Sequence, residues 1–295
     1  MASKVYPLPK QFHPDFALPG VKPRNPVVYD NSQDLGVTQI WMLGPEKTPA
    51  NIARSRYKSS KVSGANAINV VVDHGNQSLD FVNTAAAGSA DSALLNVEAP
   101  GDNDDGWLLL VFSADTLSGA QYQYAHAHYF DQKRLYFWTS GDALRATVGS
   151  TDFAVATLVT NTRYTALVTW SGGAGGNAET YLNGASGASG AFSDTPGSSE
   201  PNLTHIGGFN RPGVLRASEF DGQVELCVVG NQHLPANVAL ELIRDPYRHI
   251  LKPAIPLTYF VPAAAGGGDF IQSIAGYGGI AGYGGNAGRA GGIAG

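Results

Sequence analysis

The sequence contains a single cysteine and no long hydrophobic run. Cys227 alone excludes an intramolecular disulfide framework and a cysteine-based zinc cluster. Residues 1–10 lack the apolar segment of a secretory signal peptide. The longest aliphatic runs, at 108–112 and 70–72, fall far short of the ~20 residues that a membrane helix needs. We therefore expect no membrane insertion, and either a reducing compartment or a fold that needs no disulfides.

Charged residues are also scarce. They make up 15% of the chain, which argues against coiled coils and solvated helical arrays. The 37 glycines and 17 prolines favour turns and short strands over long helices. The apolar fraction of 43% is sufficient for a core and excludes wholesale disorder.

The few charges are unevenly distributed. Residues 1–61 hold nine Lys/Arg and four Asp/Glu, whereas residues 62–132 hold nine Asp/Glu and no Lys or Arg. This pattern is compatible with an ordinary solvated surface, or with a basic arm that docks on an acidic face of its own or a neighbouring chain. The net charge of −5 and the scattered basic residues predict no nucleic-acid partner.

The first 34 residues predict an extended, proline-rich arm. Proline fixes φ and removes a backbone donor, so this stretch is not expected to form core. It nevertheless carries apolar side chains, among them Phe12 and Phe16, which a free linker would not need. We expect the arm to lie on a neighbouring surface and Phe12 and Phe16 to act in assembly.

Residues 35–253 predict an all-β, two-sheet antiparallel sandwich with one short C-terminal helix and extended termini. Strand-like segments separated by Gly, Asn, Asp and Ser clusters are typical of such sandwiches. The segments lie at 38–43, 67–73, 78–83, 107–112, 121–129, 133–139, 144–148, 164–170, 179–182, 203–207 and 220–229. Residues 235–244 form the expected helix, with Pro235 at its start and Pro246 just beyond its end.

The order of several motifs resembles the LamG-like, concanavalin A-like lectin/glucanase jelly roll. They are YTALVTW at 164–170, ETYLNG at 179–184, LTHIGG at 203–208 and FDGQVELCVV at 220–229. The resemblance covers about 150 residues directly. It implies a jelly roll whose remaining edge strands come from residues 35–106, and a fold that is used for glycan binding.

The flanking segments are similar to those of bacteriophage proteins with a LamG-like domain. These segments are FHPDF at 12–16, PGVKP at 19–23 and DPYRHILKP at 245–253, where the phage proteins often have N-P-W-x-x-F. The resemblance implies a non-enzymatic virion protein, assembled in the host cytoplasm. Its role would be capsid decoration or tail-fibre attachment, with other virion proteins and host surface glycan as partners. The alternatives are a free carbohydrate-binding module and a glycan hydrolase.

The sequence lacks the Glu-x-Asp-x-x-Glu motif of concanavalin-like glucanases. Retaining hydrolysis needs two carboxylates a few ångströms apart on one face. Asp221 and Glu225 share a face of the predicted 220–229 strand, but no second acid flanks them suitably. We therefore expect no catalytic residues, no enzyme activity and no cofactor.

The alternation in residues 121–129 places Tyr122, Tyr124, His126 and His128 on one face of a strand. We expect these four residues to form a polar–aromatic, ligand-binding surface. His126 and His128 have chelating spacing, with Asp131 as the nearest third ligand, but the sheet-surface interpretation is favoured. Asp102, Asp104 and Asp105 resemble a calcium loop in composition without its full spacing, so a solvated turn is expected there.

The segment 254–295 predicts a linker followed by a glycine-repeat tail. Glycine recurs every third residue at Gly276, Gly279, Gly282, Gly285, Gly288 and Gly291. A period of three suggests a collagen-like strand or a polyglycine II helix, with a disordered tail as the alternative. Such a strand cannot stabilise itself, so we expect it to associate with other copies of the chain, most simply as a trimer.

Overall fold

The structure is a computed structural model that describes most of residues 35–261 and two short segments before them. The described residues are 4–7, 26–28, 35–44, 47–53, 58–61, 67–73, 75–83, 93–101, 103–126, 134–196, 204–209, 219–247, 251–253 and 258–261. Phe12, Phe16, Asp102, His128, Asp131 and the six tail glycines at 276–291 lie outside them. The predictions made for those residues therefore remain predictions.

The described part of the chain is built almost entirely from antiparallel strands. In chain order its elements are β1 (Lys4–Pro7), β2 (Pro26–Val28), β3 (Val37–Met42), β4 (Ser60–Lys61), β5 (Ile68–Asp73), β6 (Asn76–Phe81), β7 (Leu95–Asn96), β8 (Gly106–Ala114), β9 (Ala120–His126), β10 (Leu135–Ser140), β11 (Ala143–Val148), β12 (Thr151–Thr157), β13 (Tyr164–Ser171), β14 (Asn177–Leu182), β15 (Ala185–Ala191), β16 (Thr204–Ile206), β17 (Gly222–Gly230), α1 (Ala236–Arg244), β18 (Leu251–Pro253) and β19 (Thr258–Val261).

Two large sheets form the sandwich. One has eight strands in the order β15-β14-β13-β8-β17-β6-β5, with β3 also paired to β17. The other has seven strands in the order β12-β11-β10-β9-β16-β7-β4. With one short helix in the described part of the chain, this arrangement confirms the predicted all-β jelly-roll sandwich.

The central strand β8 is buried along its whole length because it faces apolar layers on both sides. Leu108, Leu110 and Phe112 point into the core between the two sheets. Trp107, Leu109 and Val111 alternate with them and pack into a second layer on the outer face of the eight-stranded sheet. A strand covered on both faces is expected to read as an almost continuous apolar run, as β8 does.

Helix α1 closes this second layer. Its buried residues Ala239, Leu242 and Ile243 pack on the outer face of the eight-stranded sheet, together with Leu234 and Tyr247. The helix follows Pro235, and an amphipathic helix docked in this way gains most of its stability from packing. One outer face of the sandwich is therefore covered.

Two buried tryptophans each lie opposite a glycine in the neighbouring strand. Trp107 of β8 pairs with Gly230 of β17, and Trp170 of β13 pairs with Gly106 of β8. A Cβ atom added to Gly230 would lie 2.0 Å from Nε1 of Trp107, and one added to Gly106 would lie 2.3 Å from Cζ2 of Trp170. The indole rings thus occupy the space that a side chain on the opposite strand would need.

The ends of the described chain pair with each other outside the two large sheets. β1 pairs antiparallel with β19, and β2 pairs antiparallel with β18. The arm predicted from the sequence therefore contains two short strands, whose partners are β18, at the end of the predicted 35–253 domain, and β19, in the predicted 254–295 segment.

No helix in the described ranges is long and apolar enough to span a bilayer.

Candidate functional site

The outer face of the seven-stranded sheet carries a compact group of aromatic side chains. Tyr136 is buried, whereas Tyr122, Trp138 and Phe209 are half-buried and packed against it and Ala125. We call Tyr122, Tyr136, Trp138 and Phe209 the aromatic patch. Grouped aromatic rings that keep part of their surface exposed are typical of binding faces, although they also occur as small satellite cores.

Tyr122 lies at the centre of the aromatic patch. Its ring centroid is 5.2 Å from that of Tyr136, with the planes at 83°, and 5.8 Å from that of Trp138, with the planes at 17°. Phe209 lies 5.5 Å from Tyr122 and 5.9 Å from Tyr136. These are favourable edge-to-face and offset-stacked distances, so the rings hold one another in place.

A β-bulge brings Tyr122 to this face. The register between β9 and β10 shifts at this point, so that Tyr124 pairs with Phe137 and Tyr122 pairs with Trp138, leaving Gln123 as the extra residue. Tyr124 and Phe137 point into the core between the sheets, whereas Tyr122 and Trp138 point outward. The prediction that Tyr122, Tyr124 and His126 share one face is therefore wrong for Tyr122.

Trp138 is held by contacts from the next two strands. Its indole Nε1 donates a hydrogen bond to Oγ1 of Thr147 on β11 at 3.0 Å. The Thr147 hydroxyl in turn donates to Oδ1 of Asp152 on β12 at 2.6 Å. The Thr147 hydroxyl donates its one proton to Asp152, so its oxygen acts as the acceptor for the indole N–H. This pair of hydrogen bonds fixes the orientation of Trp138.

Arg145 stands beside Trp138 on the side opposite Tyr122. Strands β9 and β11 flank β10, and both Tyr122 and Arg145 pair with Trp138 in the strand register. The guanidinium carbon of Arg145 lies 5.7 Å from the centroid of the Trp138 ring, within cation–π range. Tyr122, Trp138 and Arg145 therefore form a cross-strand row on the outer face.

The electrostatics of the aromatic patch are mixed. Burial raises the pKa of the Tyr122 hydroxyl, the Asp152 carboxylate raises it further, and the charge of Arg134 partly opposes the rise. Tyr122 is therefore a neutral hydroxyl at physiological pH, able to donate and to accept hydrogen bonds. Fixed rings next to a neutral hydroxyl and a guanidinium can bind a polar ligand that also has apolar faces.

The other predicted ligand residues lie in the interior. Tyr124 is fully buried in the core, and burial raises the pKa of its hydroxyl well above the ordinary value. His126 is also fully buried, with Nδ1 2.7 Å from Oγ1 of Thr204. The structure therefore separates Tyr122, at the outer face, from Tyr124 and His126 between the sheets.

The acidic turn before β8 contacts the glycine loop between β13 and β14. The backbone oxygen of Asp104 accepts a hydrogen bond from the N–H of Gly173, and Oδ1 of Asp105 accepts one from the N–H of Gly172. Both aspartates are exposed. Within the described ranges, no group of three His, Cys, Asp or Glu residues is arranged to hold a metal ion.

Asp221 and Glu225 have separate structural partners. Oδ1 of Asp221 accepts a hydrogen bond from the backbone N–H of Asn83. Glu225 is 1% exposed, and its Oε1 lies 2.7 Å from Nε of Arg163 in a salt bridge. Oε2 of Glu225 accepts a hydrogen bond from the Tyr247 hydroxyl at 2.9 Å, so this carboxylate is committed to a buried network.

Sequence reasoning missed most of the aromatic patch. Of its four residues, Tyr122 alone was predicted to bind a ligand, and the neighbouring Arg145 was not singled out either. The alternation in LYFWTS of β10 already placed Tyr136 and Trp138 on one face, and it was the available signal. Phe209 could not be predicted, because β16 brings it beside β9 across 83 residues of sequence (126 to 209).

The sandwich is similar to solved carbohydrate-active proteins. Over 70% of this chain and 98% of the other, it matches domain 4 of AbnA, a GH43 extracellular arabinanase from Geobacillus stearothermophilus, in complex with arabinotriose, with a TM-score of 0.53 and 10% identity. It also matches Trypanosoma rangeli sialidase in complex with sialic acid, with a TM-score of 0.50 and 14% identity.

The second match covers 72% of this chain and only 33% of the sialidase, so the chain spans about a third of that enzyme. No protein-family model and no curated protein matches the chain. At these identities the similarity establishes the fold, which is a lectin-like jelly roll.

Proposed function

We propose that the chain is a non-enzymatic, lectin-like module that binds a glycan on the outer face of its seven-stranded sheet. The proposal rests mainly on the difference between the two outer faces. The outer face of the eight-stranded sheet is covered by α1, whereas the other face carries the half-buried rings of the aromatic patch. A sugar has both apolar C–H faces and hydroxyl groups, and the patch offers aromatic surface beside hydrogen-bonding groups.

The orientation of Trp138 supports this proposal. Its ring is fixed by Tyr122, by Arg145 and by the hydrogen bond to Thr147. A ring that is already ordered loses little side-chain entropy when a ligand binds, so more of the contact energy appears as affinity.

A glycan array probed with the full chain tests the proposal. The wild-type protein should give defined signals, and Trp138→Ala should weaken binding to the strongest glycan by at least about tenfold. Val159→Ala is the matched control, since Val159 is 63% exposed in the turn between β12 and β13 and should leave binding unchanged. A folded wild-type protein that binds no glycan, or a Trp138→Ala variant that binds normally, would contradict the proposal.

The arrangement of the acids supports a role without catalysis. A glycosidase needs a carboxylate that is free to protonate the leaving group and a second one to attack or to activate water. Glu225 is instead engaged by Arg163 and Tyr247 inside the protein. Glycans that bind should therefore be recovered intact after incubation, and release of sugar that is abolished by Glu225→Gln would favour the hydrolase alternative.

We further propose that the module belongs to a bacteriophage virion, as capsid decoration or as part of a tail fibre. The support is the sequence resemblance of residues 12–23 and 245–253 to phage proteins with a LamG-like domain. If the proposal is correct, the protein should be present in a fixed number of copies in purified particles. A chain lacking residues 1–30 should fold but fail to join the particle, and normal incorporation would contradict the role of the arm.

The glycine-repeat tail bears on the oligomeric state of the proposed virion protein. Glycine at every third position allows three backbones to approach closely, so we propose a trimer held by residues 276–291. Gly282→Val should abolish the trimer in sedimentation velocity, whereas Asn286→Ser, at a position between the repeating glycines, should not. A parent chain that sediments as a monomer would show that the periodicity is only a composition bias.

A further inference from the structure

Arg145 lies on the outer face of the seven-stranded sheet and has no acidic partner among the described residues. It is half-buried, and its Nε atom is buried with no hydrogen-bond acceptor. Among the residues that the structure describes, no ion pair joins Arg145 to a carboxylate, and its side chain makes a cation–π contact with Trp138. Most buried polar groups in proteins have hydrogen-bond partners, so the guanidinium of Arg145 is incompletely satisfied by the described residues.

Arg145 is also held in place. The ring of Trp138 covers one side of its guanidinium, and Trp138 is itself fixed by Thr147 and Tyr122. A guanidinium is always charged and presents its donors in a rigid fork, which matches the two oxygens of a carboxylate. An ordered guanidinium that is paired with no carboxylate of the described residues is therefore prepared to receive an anion at its terminal nitrogens.

One described acid on this face, Asp152, already has a hydrogen-bond partner. Asp152 accepts the hydrogen bond of the Thr147 hydroxyl, which lies opposite it in the strand register. A second arginine, Arg134, is close enough for its charge to act on the Tyr122 hydroxyl. The guanidinium of Arg145 thus packs on the aromatic patch, and charges of both signs, from Asp152 and Arg134, act on the Tyr122 hydroxyl.

We propose that the glycan bound at the aromatic patch is acidic and that Arg145 binds its carboxylate. This inference rests on the proposed function and specifies its ligand class. The carboxylate accepts hydrogen bonds from the two terminal nitrogens of Arg145, while the sugar ring lies against the exposed parts of Tyr122 and Trp138. Arg145 is then a specificity-determining residue, because a neutral sugar offers no negative charge to pair with its guanidinium.

The test uses pairs of ligands that differ only in charge. An array carries neutral oligosaccharides together with trigalacturonate and 3′-sialyllactose, each acidic compound beside its methyl ester. The wild-type chain should bind acidic compounds about 10- to 100-fold more tightly than their esters, the range expected for one charge-assisted interaction. Raising the salt from 0.15 to 1 M should reduce this preference, because screening weakens partly exposed charge pairs.

Arg145→Gln should remove the preference for the acid while retaining weak binding of the ester. Arg145→Lys should keep part of the preference, because it keeps the charge and loses the fork. Arg244→Gln is the matched control for the loss of one positive charge, since Arg244 is exposed on α1 at the opposite face. Thermal melts of all variants confirm that each one is folded.

The outcomes show whether the inference, the proposed function or both are wrong. Equal binding of acids and esters, or an acid preference that survives Arg145→Gln, overturns the inference. If Trp138→Ala still abolishes binding in that case, the proposed glycan site remains. Absence of binding to every compound by the folded wild-type chain overturns both.

Discussion

Replacing Glu225 with alanine should destabilise the protein more than any other single charge removal among the residues described. Its carboxylate receives hydrogen bonds from Nε of Arg163 at 2.7 Å, Nη2 of Arg163 at 3.1 Å, the Tyr247 hydroxyl at 2.9 Å and Nδ2 of Asn76 at 3.1 Å. These partners come from the segment before β13, the end of the helix region and β6. One buried side chain therefore joins three separate parts of the chain to β17.

The size of the stability loss depends on the charge of Arg163, which remains after Glu225 is replaced. Breaking a buried ion pair costs about 3–5 kcal/mol, because the remaining charge is buried without compensation. The Arg163 side chain is 21% exposed, so water can partly solvate it and the loss should be nearer to about 2–4 kcal/mol. That is a large part of the roughly 5–15 kcal/mol that stabilises a typical folded protein.

Urea unfolding followed by circular dichroism measures this effect. The midpoint for Glu225→Ala should fall with an unchanged slope, as for a pure stability change. Glu225→Gln is the near-isosteric control and should lose less, because its amide oxygen still accepts from Tyr247. The double variant Arg163→Met/Glu225→Leu should be more stable than Glu225→Ala, since it buries no lone charge. A loss below about 0.5 kcal/mol for Glu225→Ala, within the range of ordinary surface substitutions, would refute this reasoning.

Three further predictions concern other parts of the sandwich. Gly230→Ala should destabilise the protein by about 1–3 kcal/mol in the same urea assay, because the new Cβ would collide with the Trp107 indole. Cys227 should not react with a thiol reagent until the protein unfolds, because burial raises the pKa of its thiol and excludes the reagent. Burial and two neighbouring carboxylates raise the pKa of Asp80 despite hydrogen bonds that oppose the rise. Its charged form is thus disfavoured in the folded state, so Asp80→Asn should melt at a higher temperature than the wild type at pH 7, and this advantage should disappear as the pH falls below about 3.8.

The strands that sequence reasoning found are those in which burial dictates the residue types. β8, β13 and β17 carry long apolar runs because core lies on both of their faces, and such runs are visible without any structure. The turn at Asn183 and Gly184 was equally readable. Both residues have positive φ, of 47° and 91°, which is the conformation that an Asn-Gly hairpin turn requires.

The strands that were missed have sequences that do not favour β structure. β15 reads ASGASGA and is largely exposed, so neither propensity nor alternation indicates a strand. It forms because the Asn183–Gly184 turn folds it back onto β14. β12 is an exposed edge strand, and its alternation of apolar and polar residues was also too weak to indicate a strand.

The sequence placed the candidate site on β9, which contributes Tyr122 to the aromatic patch, but it grouped Tyr122 with residues that lie on the other face. Perfect alternation of Tyr122, Tyr124 and His126 predicts one shared face, and no local signal distinguishes regular β9 from bulged β9. The bulge depends on how β9 aligns with β10, which is a property of the pair. Arg145 and Phe209 were missed for a related reason, since they join the patch only through the order of strands in the sheet.

The four tryptophans are distributed over separate layers of the molecule. Trp41 and Trp170 lie in the core between the sheets, Trp107 lies in the layer beneath α1, and Trp138 lies on the outer face. Trp138 alone among them is not fully buried. The protein therefore contains its own fluorescence reporters: a collisional quencher such as acrylamide would reach Trp138 first, and emission from the other three would respond only when an inner layer opens. Ligand arrival at the outer face and loosening of the sandwich would thus appear as two separable optical signals from one unlabelled chain.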